Sequence, residues 1–349
     1  MLTGMTDNAQ PAATHAPIVA AVIGAGAWGT TFAKVLADAG CDVRLWAREV
    51  EVAEDIHANH TNSQFLPGIT LPANVKGTAN PIAALAGAQL VVLATPAQVA
   101  RQALEPMASL IEPDAIVACL MKGVELGTGK LMTDVASEAL HVPMDRIVAI
   151  SGPNLAREVA QQQPAATVVA SSNPAAADFV AEACQTSYFR PYTNDDVIGV
   201  ELCGAVKNVI ALAVGIAFGA GYGWNTVATL ITRGLAEITR LGIALGAKPA
   251  TFQGLAGMGD LAATCASPLS RNHSLGEKIG KGMSLSDALG ATGGTAEGVK
   301  SSESTLELAR SLGVEMPITE AVVGVLTGKV QLADLAPLLL GRPRKAEGI

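Results

Sequence analysis

A lysine set into an apolar segment is the sharpest chemical feature of this chain. Lys207 lies in Glu201-Leu-Cys-Gly-Ala-Val-Lys207-Asn208-Val-Ile-Ala-Leu, and residues 208–232 carry no charged side chain. An ammonium at the edge of such a segment is partly desolvated. Desolvation lowers its pKa and suits it to proton transfer near neutral pH. Asn208 and Glu201 could orient it; a salt-bridged structural lysine is the plainer alternative. Lys122 follows an apolar run in Cys119-Leu-Met-Lys122-Gly123. Carboxyl ends of parallel strands are where ligands sit in open α/β sheets, which would turn Lys122 toward a cleft. Otherwise it is an ordinary loop lysine. Ser151-Gly152-Pro153-Asn154 offers backbone donors and an Asn cap, although a structural turn explains it as well. A glycine-rich polar stretch, read as a loop between helices, runs from Gly254 to His273. In it Arg271, flanked by Ser270 and Asn272, can clamp a phosphate through its planar fork, and Asp260 can accept from a substrate hydroxyl.

A second chemical signal stands near the start. Ile18–Ile23 is an apolar run that leads straight into Gly24-Ala25-Gly26-Ala27-Trp28-Gly29. In a GxGxxG between strand and helix, Gly24 allows the tight turn and Gly26 lets a pyrophosphate approach the backbone. Gly29 lets the helix pack closely, and the helix N-terminus supplies N–H donors. The next strand ends in Leu45-Trp46-Ala47-Arg48. An NAD site usually carries an acid there for the ribose hydroxyl. Ala47 and Arg48 instead favour a 2′-phosphate, hence NADP(H), while Glu49 keeps NAD open and Arg48 also reads as a plain surface arginine.

Apolar runs separated by helical patterns must position these groups. They are Ile18–Ile23, Asp42–Trp46, Leu90–Ala94, Ala115–Leu120 and Ile147–Ile150, with further strand candidates at 167–170 and 187–193. Helical stretches lie at 28–39, 98–110 and 130–140. This alternation implies parallel βαβ units. After about Asp195 only helical patterns remain, at 196–220, 225–246, 250–257, 273–281, 284–290 and 297–312. The expected fold is therefore α/β: a flexible tail over 1–17, a Rossmann-type dinucleotide-binding domain over 18–195, and an all-α substrate domain over 196–340.

Composition supports a globular reading. The 349 residues are 50% hydrophobic and only 15% charged, enough for two aliphatic cores and too apolar for a disordered chain. A net charge of −8 excludes broad attraction to nucleic acid or anionic lipid. Five scattered cysteines form no CxxC pair, so neither a metal site nor a disulfide framework is expected. No secretory signal is read at the start. The apolar segment from Val209 to Trp224 falls short of the roughly 20 residues needed to cross a bilayer, so it is expected to be a buried helix.

Taken together, these motifs resemble the bacterial NAD(P)-dependent glycerol-3-phosphate dehydrogenase family. The resemblance runs from about Val19 to Leu326 through GAGAWGT (24–30), NxxFLPG (62–68), LMKG (120–123), SGPNLAREV (151–159), GVELCGAVKNVIALAVGI (199–216), TFQGLAGMGDL (251–261), SRN (270–272) and AEGV (296–299). It implies reversible reduction of dihydroxyacetone phosphate to sn-glycerol 3-phosphate for phospholipid synthesis, with NADPH preferred or NADH, in the cytoplasm. A homodimer is one assembly it allows. By resemblance, Lys207 is the general acid/base and Lys122 lies beside substrate and nicotinamide. Gly152, Asn154, Asp260, Ser270, Arg271 and Asn272 contact substrate. Ala27, Trp28, Arg48, Ala156, Arg271, Thr295 and Glu297 touch the cofactor. Ala27, Asn154 and Thr295 depart from the residues common in relatives, so backbone contacts carry over better than side-chain ones there. Two rival readings are a related reductase for a 3-hydroxy or 2-oxo acid, which calls for carboxylate recognition, and a cofactor-sensing module, which needs neither lysine.

Overall fold

In the computed structural model, which describes residues 16–292 and 297–335, the aliphatic runs before residue 195 form one eight-stranded sheet. The strands are β1 (Val19–Ile23), β2 (Asp42–Trp46), β3 (Val75–Thr78), β4 (Leu90–Leu93), β5 (Ile116–Cys119), β6 (Ile147–Ser151), β7 (Ala165–Ala170) and β8 (Phe189–Asn194). Their spatial order is β3-β2-β1-β4-β5-β6-β7-β8. Successive side chains of a strand point to opposite faces, so β1 feeds two cores. Ala20 and Val22 pack with Phe32 and Leu36 on one face. Ala21 and Ile23 pack with Leu85 and Met107 on the other. Burial on both faces explains why the central strands read as unbroken apolar runs.

The chain order reverses across the sheet between β1 and β4. A crevice opens at the carboxyl ends of strands at such a switch point. Gly24, Ser151 and Lys122 all lie just past or at those ends.

Expectation and structure differ at β7. It pairs antiparallel with β6, while every other pair in the sheet is parallel. A parallel return needs a crossover of a dozen or more residues, usually built on a full helix. Residues 152–164 hold two prolines and only the short helix Ala156–Ala160, so the chain folds back instead. β3 had no recognisable strand pattern. Its Gly77 is held close to the backbone of the preceding helical segment, where a Cβ would come within 2.2 Å of the Ala53 carbonyl oxygen.

From Val197 onward every described element is helical, and the long helix Val197–Gly219 is the axis around which the others pack. Of the apolar segment Val209–Trp224, residues 209–219 form the second half of this 23-residue helix, and the remainder turns into the next helix, Trp224–Ala244. The long helix is long and apolar enough to cross a membrane, yet 83% of its most apolar stretch is buried within the protein. Asp196 caps the start of the long helix by accepting from the Gly199 N–H at 3.0 Å. The stretch expected as one helix at 250–257 is two turns, a 3-10 turn Pro249–Gln253 and a wider π-type turn Leu255–Gly259, parted by extended Gly254. The stretch after it is not a loop: Asp260–Ala266 and Arg271–Gly280 are helices.

Helix Arg271–Gly280 crosses Val197–Gly219 almost backbone to backbone. A Cβ at Gly215 would lie 2.2 Å from the His273 carbonyl oxygen, and one at Gly276 would lie 2.3 Å from that of Leu212. This contact places the Ser270-Arg271-Asn272 corner beside the Lys207 turn of the long helix.

Candidate functional site

Three segments meet at one carboxylate. Asp260 opens its helix, and its side chain is 1% exposed. Lys122, just beyond β5, donates to Asp260 Oδ2 at 2.7 Å. Lys207, halfway along the long helix, donates to Asp260 Oδ1 and to Thr264 Oγ1, the latter at 2.8 Å. Thr264 in turn donates to the Asp260 carbonyl oxygen at 2.6 Å.

Charge makes this cluster self-consistent. An isolated buried carboxylate costs several kcal/mol, on the order of what a small domain's whole stability can spare. Burial pushes the Asp260 carboxyl up, but the two ammonium groups more than reverse this and hold it below its ordinary value. Burial pushes Lys207 down to about 8, against the Asp260 carboxylate that holds it up; Lys122 pushes it further down. Lys207 is thus charged at neutral pH yet close to releasing its proton, the condition for acid–base work.

The Arg271 corner joins this centre through Asn272 and Glu297. Ser270 caps its helix by accepting from the His273 N–H at 3.3 Å, so its hydroxyl serves a fold role. Asn272 donates to Asn208 Oδ1 and accepts from the Gly298 N–H, both at 3.0 Å. Burial raises the Glu297 carboxyl, opposed by Arg271, Lys122 and Lys207 around it.

Sequence reasoning missed Thr264, whose signal was its place four residues after Asp260 on one helical face. It also put Glu201 beside Lys207, and the structure corrects this. Six residues at about 100° each turn Glu201 well round the helix from Lys207. Its carboxylate instead accepts from the Thr133 N–H at 2.9 Å and from the Thr133 hydroxyl. Asn154, too, spends its side chain on the sheet. It donates to the Ala166 carbonyl at 2.9 Å and accepts from the Thr167 hydroxyl at the same distance. These two bonds fix the orientation of the Asn154 side chain against β7.

A family model described as the NAD-dependent glycerol-3-phosphate dehydrogenase N-terminus matches residues 19–177, and its C-terminal counterpart matches residues 196–336. The chain belongs to this family. It is 58% identical over 312 residues to the glycerol-3-phosphate dehydrogenase (NAD(P)+) of Streptomyces griseus, covering 89% of this chain and 93% of that one. The enzyme of the same name from Corynebacterium diphtheriae is 54% identical over 327 residues, 93% of this chain and 99% of the relative. The crystal structure of glycerol-3-phosphate dehydrogenase from Coxiella burnetii superposes with a TM-score of 0.89 at 37% identity, covering 93% and 99% of the two chains.

The residues expected at a glycerol-3-phosphate dehydrogenase cofactor site fit a dinucleotide. Gly24 has φ +118°, and a Cβ there would strike the Ala94 carbonyl. A Cβ on Gly29 would sit 2.0 Å from the Gly24 carbonyl oxygen, so any side chain there forces the turn and the helix apart. Around Gly26, by contrast, nothing lies within 4 Å of where a Cβ would be. That open face, at the start of helix Ala27–Asp38 with no side-chain cap, is free for a pyrophosphate. Trp28 and Ala27 form the first turn of that helix. Ala156 is tied to it through its carbonyl, which accepts from the Thr31 hydroxyl at 3.1 Å. Arg48 lies apart from the lysine centre, past the end of β2. Its side chain is 81% exposed and paired with Glu49 at 2.6 Å. Thr295 lies outside the described residues.

Proposed function

We propose that the crevice reduces dihydroxyacetone phosphate to sn-glycerol 3-phosphate, reversibly, with Lys207 as general acid/base. The single observation that carries this is Asp260 holding two lysines at one buried point. The bound NADPH or NADH supplies the hydride. Lys207 Nζ holds the proton for the carbonyl oxygen, and Thr264 and Asp260 aim that ammonium. Lys122 adds a second positive charge where negative charge grows on the same oxygen. Glycerol phosphate oxidation uses the same lysine in reverse, as base.

Arg271, with the amide of Asn272 and the helix N-terminus capped by Ser270, anchors the substrate phosphate. Backbone groups of Gly152 and Asn154 border the substrate. Gly24, Gly26, Ala27, Trp28, Gly29 and Ala156 hold the dinucleotide, joined by Lys122, Arg271, Thr295 and Glu297. Arg48 leaves Glu49 to meet a 2′-phosphate, which favours NADPH over NADH. Residues 18–195 are the cofactor unit and 196–340 the substrate unit. The product supplies the glycerol phosphate backbone of phospholipids, in the cytoplasm, and the active species is a homodimer.

Purified protein should oxidise NADPH when given dihydroxyacetone phosphate, and far more slowly with unphosphorylated dihydroxyacetone. Lys207→Ala should lower kcat by roughly 10²–10⁴, the range for a lost general acid, with NADPH affinity kept. Near-normal turnover in that variant would remove Lys207 from the mechanism.

A further inference from the structure

Lys122 reaches Asp260 by passing over a residue that has no side chain. Gly204 lies on the long helix one turn before Lys207. A Cβ at this position would be 3.3 and 3.2 Å from Lys122 Cγ and Cδ, and 2.7 Å from Ser151 Oγ. The middle of the Lys122 stem is therefore pinned against the helix backbone, while its tip is pinned at Asp260 Oδ2. Ser151 stands at the carboxyl end of β6 and closes the other side. Its hydroxyl is buried and has no hydrogen-bond partner among the described residues. A buried hydroxyl without a partner carries a desolvation cost of about 1–3 kcal/mol, so hydrogen bonding does not explain its place there.

We propose that Gly204 is a positioning residue: with Ser151 as the opposite wall, it forms a notch that sets the reach of Lys122 to the Asp260 carboxylate. The proposal rests on the reading of Lys122 as part of the reacting centre. A methyl in the notch presses the stem aside by a few tenths of an ångström and loosens the Nζ contact with Asp260. Misplacing a catalytic group by about 1 Å costs on the order of 10²-fold in rate, so this smaller shift costs about tenfold. A glycine needed only for helix–sheet packing would respond differently, because its replacement would damage folding and cofactor binding without a specific effect on Lys122.

Gly204→Ala, Ser151→Ala and the double variant, each in the full chain, separate these roles. Gly204→Ala should lower kcat for dihydroxyacetone phosphate by about tenfold, with NADPH affinity changed by less than about twofold. Removing the Ser151 hydroxyl gives the new methyl room, so the double variant should return to within about threefold of Ser151→Ala alone. Reductive methylation of Lys122, read by mass spectrometry, should be faster in Gly204→Ala than in the unaltered chain. That readout needs no turnover. If the unaltered chain fails to reduce dihydroxyacetone phosphate, the proposed activity falls while the notch is still judged on Lys122 labelling. Unchanged kcat and labelling in Gly204→Ala, or a loss that the second substitution does not recover, would overturn the proposal. Should Gly204→Ala not fold, Ser151→Val crowds the notch from the sheet side and is held to the same kcat and labelling outcomes. Loss of the fold in both variants also counts against it, because a notch that only sets reach leaves folding intact.

Discussion

Between Gly24 and Gly29 the chain prepares for a ligand with six consecutive residues, whereas around Asp260 it gathers residues 122, 207, 260 and 264 from three separated segments. In the first region the chemistry belongs to the backbone: a turn, an open glycine face and a helix start. In the second it belongs to side-chain charge, stabilised only because opposite charges arrive together in a dry place. A local motif tolerates change around it but not within it. A convergent centre depends on every element that delivers a group, and the loss of one charge changes the others.

Asp260→Asn tests that dependence most severely. Without the carboxylate, two buried ammonium groups face a neutral amide, so kcat should fall by about 10³, roughly 4 kcal/mol in barrier. The sign of the pH effect is fixed by the cluster. Asp260 holds the Lys207 ammonium up, so its loss lowers the Lys207 pKa below the value of about 8. The basic limb of the reduction profile should then move to lower pH. A limb that stays in place would break the picture of one coupled centre.

Gly29→Ala is the local counterpart. The added carbon meets the Gly24 carbonyl oxygen, and overpacking of this kind costs about 1–3 kcal/mol. NADPH affinity, measured by fluorescence titration, should weaken by about tenfold or more, while the pH limb set by Lys207 stays where it is. Movement of that limb would mean that the two regions are not independent.

Arg48→Ala probes the outer edge of the cofactor region. An exposed guanidinium already paired with Glu49 gains less from a phosphate than a buried one does. NADPH should weaken by about tenfold relative to NADH, in line with one charge-assisted contact. Equal losses for both cofactors would show that Arg48 does not read the 2′-phosphate.

The smallest effect lies outside both regions. Glu237 accepts from the backbone of Ile318 and Thr319 at the start of helix Pro317–Leu326, and burial pushes its carboxyl up from an ordinary 4.5 to about 7. The folded chain therefore keeps this proton longer than the unfolded chain. The stability it contributes is complete below about pH 4.5 and is lost as the pH rises through 7. Glu237→Gln should flatten the decline of Tm between pH 5 and 8 by a few degrees, with kcat unaffected. An unchanged slope in a thermal scan series would assign the pH dependence elsewhere, with Glu201 the next candidate since burial also pushes it to about 7.

These differences also explain what the sequence disclosed. The phosphate turn was readable because its residues are adjacent and its glycines answer to backbone geometry. Lys207 was readable from the missing charges after it. Lys122 and Asp260 were visible singly, but their meeting was not, because the register of the long helix against β5 and the Asp260 helix is set by packing across 138 residues of separation. Thr264 was hidden by glycines that made its helix look like a loop. Glu201 is close to Lys207 in sequence but six residues along a helix put it on another face, toward Thr133. The reversed β7 followed from a connection that holds only a five-residue helix and so lacks the element that carries a crossover, a signal present in its prolines but outweighed by the alternating pattern.

The burial of helix Val197–Gly219 has a consequence in time. Its cover comes mostly from segments made afterwards: Trp224–Ala244, Asp260–Ala266, Arg271–Gly280, Glu297–Ser311 and Pro317–Leu326. The interlocked glycines at 215 and 276 cannot meet until the chain has been extended past residue 280. At about 5–20 residues per second, the ribosome leaves the helix without that partner for roughly 3–12 s. For that interval the nascent chain exposes a segment with the composition of a membrane span. The apolar sequence that tunes one lysine thus makes the chain most vulnerable to aggregation or misrouting before its last third has been synthesised.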